Sequence, residues 1–301
     1  MTALRPVTWG VELGVYEKAL RWAGSWDDLF RQAADAGFAF VDLSVDETDD
    51  RVSRLWWPDA VRGEVREASL RHGVAIGGLC LSAHRKVAPG SADPAVRRRS
   101  QELLLRSVDL SVDLGAPLIQ VAGYYAFYEA PRSGAREHYL DVIAAGAAYA
   151  AQRGVMLGIE NVDGTDITSI SRALEACDEI GSAHLQLYPD IGNLTERGLD
   201  VVAELAAGRG RMLALHVKDT RPGEPRRVPM GTGAVPWAKA FTELARQGWS
   251  GRMLIEMWND SRPDSAAEAQ RAREFIRGRL EAAGIPVATR TPGPVAERHA
   301  Q

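Results

Sequence analysis

Cysteine is nearly absent from this chain: Cys80 and Cys177 are the only two in 301 residues. Two isolated thiols cannot build a disulfide framework, and neither has metal-ligand spacing. A reduced, cytosolic compartment is the expected setting. No apolar run approaches the roughly 18 residues that a membrane-crossing helix needs. The opening Met1-Thr-Ala-Leu-Arg-Pro6 has neither the basic segment nor the apolar core of a secretory leader. There is no basic excess either. With 36 basic and 40 acidic residues, the net charge is −4, so no global positive field would gather nucleic acid. Histidine occurs only six times.

What is present is a repeated alternation. Strand-like apolar runs occupy Trp9–Val15, Phe38–Val45, Ala75–Leu81, Leu118–Ala122, Met156–Glu160, Leu185–Leu187 continuing to Asp190, Met212–Val217 and Met253–Met257. Amphipathic stretches with helical period lie between and after them, at Ser25–Ala36, Pro58–His72, Pro94–Leu114, Arg136–Arg153, Ser169–Ile180, Leu199–Ala207, Pro236–Gln247 and Ser265–Ala283. Strict alternation selects a parallel sheet, and eight units at this length select a closed (β/α)8 TIM barrel, an α/β fold, over an open sheet. No linker interrupts the series. One domain over residues 1–285 is expected, followed by a loose tail at 286–301 that holds three prolines and no apolar period.

Four of the apolar runs end on an ionisable residue: Glu160, Asp190, His216 and Glu256. A lone strand-terminal acid is more often a helix cap or an ion-pair partner, and a lone histidine more often a satisfied core residue. Four in the successive strands 5, 6, 7 and 8 line one sector of a barrel mouth, where sites of this fold assemble. Three carboxylates and an imidazole crowded there would repel unless a cation neutralised them, so one divalent metal ion is expected. Oxygen donors with one nitrogen suit Mn²⁺, Co²⁺, Mg²⁺ or Zn²⁺. Strand alternation puts Lys218 on the same face as His216.

The chain resembles the L-ribulose-5-phosphate 3-epimerases, also called L-xylulose-5-phosphate 3-epimerases, within the xylose-isomerase-like barrels. The resemblance is carried by Gly14-Val-Tyr-Glu-Lys-Ala-Leu20, Ser44-Val-Asp-Glu-Thr-Asp-Asp-Arg-Val-Ser-Arg-Leu55, Leu79-Cys-Leu-Ser-Ala-His-Arg85 and Ile119-Gln-Val-Ala-Gly-Tyr124. It continues through Gln186-Leu-Tyr-Pro-Asp-Ile-Gly-Asn-Leu194, His216-Val-Lys-Asp-Thr220 and Leu254-Ile-Glu-Met-Trp258. The Glu160-Asn161-Val162-Asp163 turn departs from the more apolar family version, and the tail beyond Ala283 is unshared.

The resemblance implies a divalent ion on Glu160, Asp190, His216 and Glu256, with Glu160 and Glu256 also serving as catalytic acid and base. Inverting C3 of a ketopentose phosphate removes a proton beside the C2 carbonyl and returns it to the other face. An ion stabilises the enediolate and two carboxylates exchange the proton. The substrate phosphate needs cations. His84, Arg85 and Lys218 are the preferred candidates, with Arg51, Arg54 and Arg221 as further ones. Asn193 is expected to meet a sugar hydroxyl, and Tyr16 and Glu17 to close the pocket. The partner is thus a small ketopentose phosphate, with no nucleic acid and no membrane, and a cytoplasmic homodimer is expected by likeness alone. An aldose–ketose isomerase would move a proton between C1 and C2, and a non-catalytic sugar-phosphate binding protein would need neither glutamate. An abasic-site endonuclease would need more histidines and a basic face.

Overall fold

A computed structural model describes residues 10–288 apart from Ala23, Pro131 and Asp260. The strands are β1 Glu12–Tyr16, β2 Phe40–Val45, β3 Ala75–Leu81, β4 Leu118–Ala122, β5 Met156–Glu160, β6 Leu185–Leu187, β7 Ala214–Val217, β8 Asp219–Arg221, β9 Glu224–Val228 and β10 Arg252–Ile255. The helices are α1 Trp26–Asp35, α2 Asp49–Ser53, α3 Asp59–His72, α4 Pro94–Leu114, α5 Ala135–Arg153, α6 Ile170–Ile180, α7 Ile191–Glu196, α8 Val201–Ala207, α9 Trp237–Gln247 and α10 Ser265–Ala282.

Eight parallel strands form one sheet in the order β6-β5-β4-β3-β2-β1-β10-β7. The sheet comes round on itself between β6 and β7. There the ladder thins to the isolated parallel bridges Leu187–Met212 and Asp190–His216, supported by backbone hydrogen bonds such as His216 N to Pro189 O at 2.8 Å. The fold is the expected single-domain TIM barrel.

Alternation along each strand sorts side chains into two cores. On β10, Met253 and Ile255 face the helices while Leu254 faces the barrel interior; on β7, Leu215 and Val217 face out while Ala214 faces in. Continuing the same alternation directs His216 and Glu256 into the barrel. The interior is filled by Phe40, Cys80, Leu118, Tyr188 and Leu254. Glycine is required around Phe40: a Cβ on Gly14 would lie 2.1 Å from its ring, and one on Gly77 2.2 Å. Helix boundaries follow local chemistry. Asp93 caps α4, accepting from Ala95 N at 2.7 Å, and Pro94 takes the first helical position, where no N–H is needed.

Three features lie outside the expected series. The short helices α2 and α7 follow β2 and β6, and β8 pairs with β9 as an antiparallel hairpin after β7. At the chain's end, Pro286 O accepts from Val11 N at 2.8 Å and Ala288 N donates to Val11 O at 2.9 Å. The first residues of the expected loose tail therefore pair with the approach to β1; residues 289–301, and Trp9 with the other N-terminal residues, lie outside the described residues.

Candidate active site

The carboxyl ends of the strands open into a cavity of about 290 Å³. Glu160, Lys218, Asn193 and Glu256 line it, together with Tyr16, Gln120 and Trp258. Glu160, Asp190, His216 and Glu256 can each offer one ligand atom, all within 4.8 Å of one another. His216 Nδ1 stands at the centre: Glu160 Oε1 is 2.8 Å away, Glu256 Oε1 3.9 Å and Asp190 Oδ2 4.0 Å.

Each of these side chains is oriented by its own strand end. Gln120, on β4, donates to Glu160 Oε2 and leaves Oε1 facing His216. The Tyr188 ring packs edge-on against the imidazole with centroids 4.5 Å apart. Asp190 divides its two oxygens. Oδ1 caps α7, accepting from Asn193 N at 2.8 Å, while Oδ2 faces the site. The cap and the candidate metal donor, rivals when only the sequence is read, are thus two ends of one carboxylate. Asn161 fixes this strand end by accepting from Asp190 N at 2.8 Å and donating to Asp190 O at 3.0 Å. Asn193 donates to Asn161 O at 2.8 Å, and its carbonyl Oδ1 is buried without a partner at the cavity wall.

The electrostatics are those of three carboxylates set against two cations. Lys218 Nζ lies 2.9 Å from Asp190 Oδ2 and 3.2 Å from Glu256 Oε2. Burial alone would push His216 down, but the carboxylates of Glu160 and Glu256 hold it up at about 9. Burial pushes Asp190 up, only partly countered by Lys218. For Glu256 the balance reverses: burial opposes ionisation, and Lys218 and His216 override it. The carboxylate left in excess, beside a single nitrogen donor and in the absence of thiolates, is the donor chemistry of a hard or borderline divalent ion. The four residues therefore fit the expected metal.

Comparison with known proteins identifies the family of this barrel. A family model described as xylose isomerase-like TIM barrel matches residues 30–279. The L-ribulose-5-phosphate 3-epimerase of Shigella boydii serotype 18 is 40% identical over 275 residues, covering 91% of this chain and 97% of that protein. That of Escherichia coli strain K12 matches at the same identity and coverage. The chain belongs to the L-ribulose-5-phosphate 3-epimerase family. It is accordingly an isomerase of the carbohydrate-epimerase class. Among solved structures, the D-allulose 3-epimerase of Methylomonas sp. superposes with a TM-score of 0.74 at 20% identity, covering 90% of this chain and 97% of that one. At that identity the likeness is one of fold.

Set in this family's barrel, the other expected site residues divide. Tyr16 lines the cavity, its hydroxyl 2.8 Å from Ser44 Oγ, and Arg85, Asn193 and Lys218 line it too. Glu17 is not among the lining residues. The three-residue 3-10 turn Glu17–Ala19 buries its carboxylate completely, where it takes Arg54 Nη1 and Nη2 and Arg51 Nη1, each at 2.7 Å, and Ser44 N at 2.8 Å. Arg51 and Arg54 are thereby engaged away from the cavity. His84 is buried behind the wall, with Nε2 3.1 Å from Ser100 O, and burial holds it down at about 4, so it offers no positive charge near neutrality. Arg221 sits on the outer side of the hairpin, bonded to Thr232 O at 2.8 Å and paired with Glu224 at 3.2 Å.

Several lining residues were not anticipated: Lys18, Gln120, Tyr124, Asp163, Arg226, Arg227 and Trp258. The stretch Arg221-Pro-Gly-Glu-Pro-Arg-Arg-Val228 carried a usable signal, since Pro222-Gly223 marks a turn between two short runs.

Proposed function

We propose that the protein is a metal-dependent 3-epimerase that interconverts L-xylulose 5-phosphate and L-ribulose 5-phosphate. The observation that carries this reading is the convergence of Glu160 and Glu256, from strands separated by β6 and β7, on the single nitrogen His216 Nδ1. Family membership at 40% identity supports the substrate.

Glu160, Asp190, His216 and Glu256 would hold the divalent ion, which would lend Lewis-acid stabilisation to negative charge developing on the sugar. Glu160 and Glu256 flank the floor and exchange the C3 proton. One removes it from one face of the sugar, the other returns a proton to the opposite face, and the roles reverse with direction. Lys218 and His216 keep Glu256 ionised and ready to accept. Gln120 fixes the plane of the Glu160 carboxylate. The unpartnered Oδ1 of Asn193 offers an acceptor to a sugar hydroxyl. Tyr16 and Trp258, ring centroids 6.3 Å apart and nearly perpendicular, wall the site and limit water around the carbanionic carbon.

The experiment is NMR of L-ribulose 5-phosphate in deuterated water with Zn²⁺ or Mg²⁺. Deuterium at C3 together with growth of the C3 epimer is expected. Glu160→Gln and Glu256→Gln each lower C3 exchange by at least about 10²-fold while the ketopentose phosphate still binds, as expected for loss of a positioned acid or base. Label at C1 would make the protein an aldose–ketose isomerase. Full turnover in either variant would refute the two-glutamate mechanism.

A further inference from the structure

His216 lacks the usual anchor of a metal-binding histidine. Such a ring almost always donates its second N–H to a carboxylate, a backbone carbonyl or water, which fixes how it faces the ion. Here Nδ1 faces the carboxylates, and Nε2 is buried without a hydrogen-bond partner among the described residues. Outside the charged cluster the imidazole packs on the ring of Tyr188, edge-on, with centroids 4.5 Å apart.

Tyr188 is itself held from the far side of the barrel. It follows β6, and its hydroxyl donates to Oδ2 of Asp42, on β2, at 2.9 Å. Those two strands stand four places apart whichever way the eight-strand hoop is counted, so the side chains meet across the barrel axis. On β2, Val41 and Leu43 pack towards the helices while Phe40 points inward, and alternation turns Asp42 inward with it. The residue is buried, and its Oδ1 has no partner among the described residues. A buried carboxylate so sparsely partnered costs stability, yet the backbone around it is shaped to admit it. The β2–β3 register slips between Val41 and Asp42, leaving Gly77 unmatched, and a Cβ there would stand 2.4 Å from Asp42 Oδ1. Bulges of this kind re-aim side chains beside active sites. Arg252 Nη1 donates to Gly77 O at 3.0 Å and fixes the bulge. Across the barrel, a Cβ on Gly158 would lie 2.8 Å from the Cβ of Tyr188, so the root of the tyrosine is closely confined.

We propose that Asp42 and Tyr188 form a strut across the barrel that positions His216 for its ion, in place of a hydrogen bond to Nε2. Asp42 is a positioning residue: it acts through Tyr188 and does not line the cavity. This rests on the metal-site reading above and adds the means by which one of the four donors is oriented.

The test titrates Zn²⁺ and Co²⁺ calorimetrically into chelator-treated wild type, Asp42→Ala, Asp42→Asn and Tyr188→Phe, each checked for fold by circular dichroism. Asp42→Ala and Tyr188→Phe are expected to weaken both ions on the order of 10- to 100-fold, as loss of an outer partner of a metal-bound histidine does. The visible absorption of the Co²⁺ forms shifts in the same two variants, and combining them adds little to either alone, since both break one strut. Asp42→Asn keeps an acceptor of the same size for the tyrosine hydroxyl, and retains most of the wild-type affinity and its Co²⁺ spectrum. Where Asp42→Ala does not fold, Tyr188→Phe decides, because it keeps the aromatic ring. Lower thermal stability in chelator with unchanged affinity and spectrum would make the pair a core contact alone and overturn the proposal. An Asp42→Asn that loses as much as Asp42→Ala overturns it too. A wild type that binds neither ion overturns the metal reading and this one together; a wild type that binds, matched by Tyr188→Phe, overturns this one alone.

Discussion

At the scale of the residue, Asp190 caps a helix with one oxygen and turns the other to the charged cluster. Oδ1 caps α7 and Oδ2 faces His216 and Lys218. Asparagine caps a helix as well as aspartate does, but brings no charge to the ligand set. Its substitution would also leave two carboxylates facing two cations, a balanced group. Asp190→Asn should therefore unfold, with chelator present, within about 1 kcal/mol of chelated wild type, while losing the stabilisation that added Zn²⁺ or Mn²⁺ gives the wild type. Paired thermal scans with and without ion check this, and an undiminished ion-induced shift would sink it. The four-residue cluster was legible because a carboxylate at the end of an apolar strand has few inexpensive explanations. Glu17 misled for the converse reason. It also follows an apolar run, but the sequence does not show a 3-10 turn swinging its carboxylate away from the mouth into two arginines.

At the scale of the element, that same Glu17 joins β1 to the segment after β2. Arg54 comes from the turn that follows α2, and Arg51 from α2 itself. Removing one member of a buried ion group strands the others, so Glu17→Gln should cost about 3–5 kcal/mol, measured by denaturant unfolding. A loss below about 1 kcal/mol, the range of an exposed pair, would show the group to be solvated. Burial pushes Glu17 up, but Arg54, Arg51 and the Ser44 amide outweigh it and hold the carboxyl below 4.5. A depressed folded-state pKa gives stability that is complete above the unfolded value and fades as pH falls through the folded one. Wild type should therefore lose more stability than Glu17→Gln on acidification below pH 4.5, and the two curves should converge. Elements with a strong period were readable in advance, among them the barrel strands and the long helices. The hairpin was not read, because β8 and β9 are too short to show a period and β9 is mostly exposed, so the Pro222-Gly223 turn was its one signal. Arg226 and Arg227 went unseen with it.

At the scale of the whole molecule, the barrel was predictable from strict alternation, and its completion by Pro286–Ala288 pairing with Val11 was not, since three residues carry no period. Among the described residues no helix is long and apolar enough to cross a membrane. The fold and the site also meet energetically. An ion bound only by the folded chain adds about 2.7 kcal/mol when present at a hundredfold above its dissociation constant. For a chain of this size, at about 2.1 cal/mol/K of unfolding entropy per residue, that is a rise in Tm of roughly 4 °C. A Tm that is indifferent to EDTA and to added Zn²⁺, Mn²⁺ or Co²⁺ would exclude the metal site.

The place where the strand circle closes gives that coupling a direction. Asp190 and His216 face each other across the β6–β7 junction, where isolated bridges replace a continuous ladder. An ion held by both would rivet the hoop at its thinnest stave. Stripped of it, the barrel should loosen there first, so the apoprotein would breathe along one line rather than swell evenly. Amide exchange that quickens around Leu187, Leu213 and His216 ahead of β2 and β3 would trace that line.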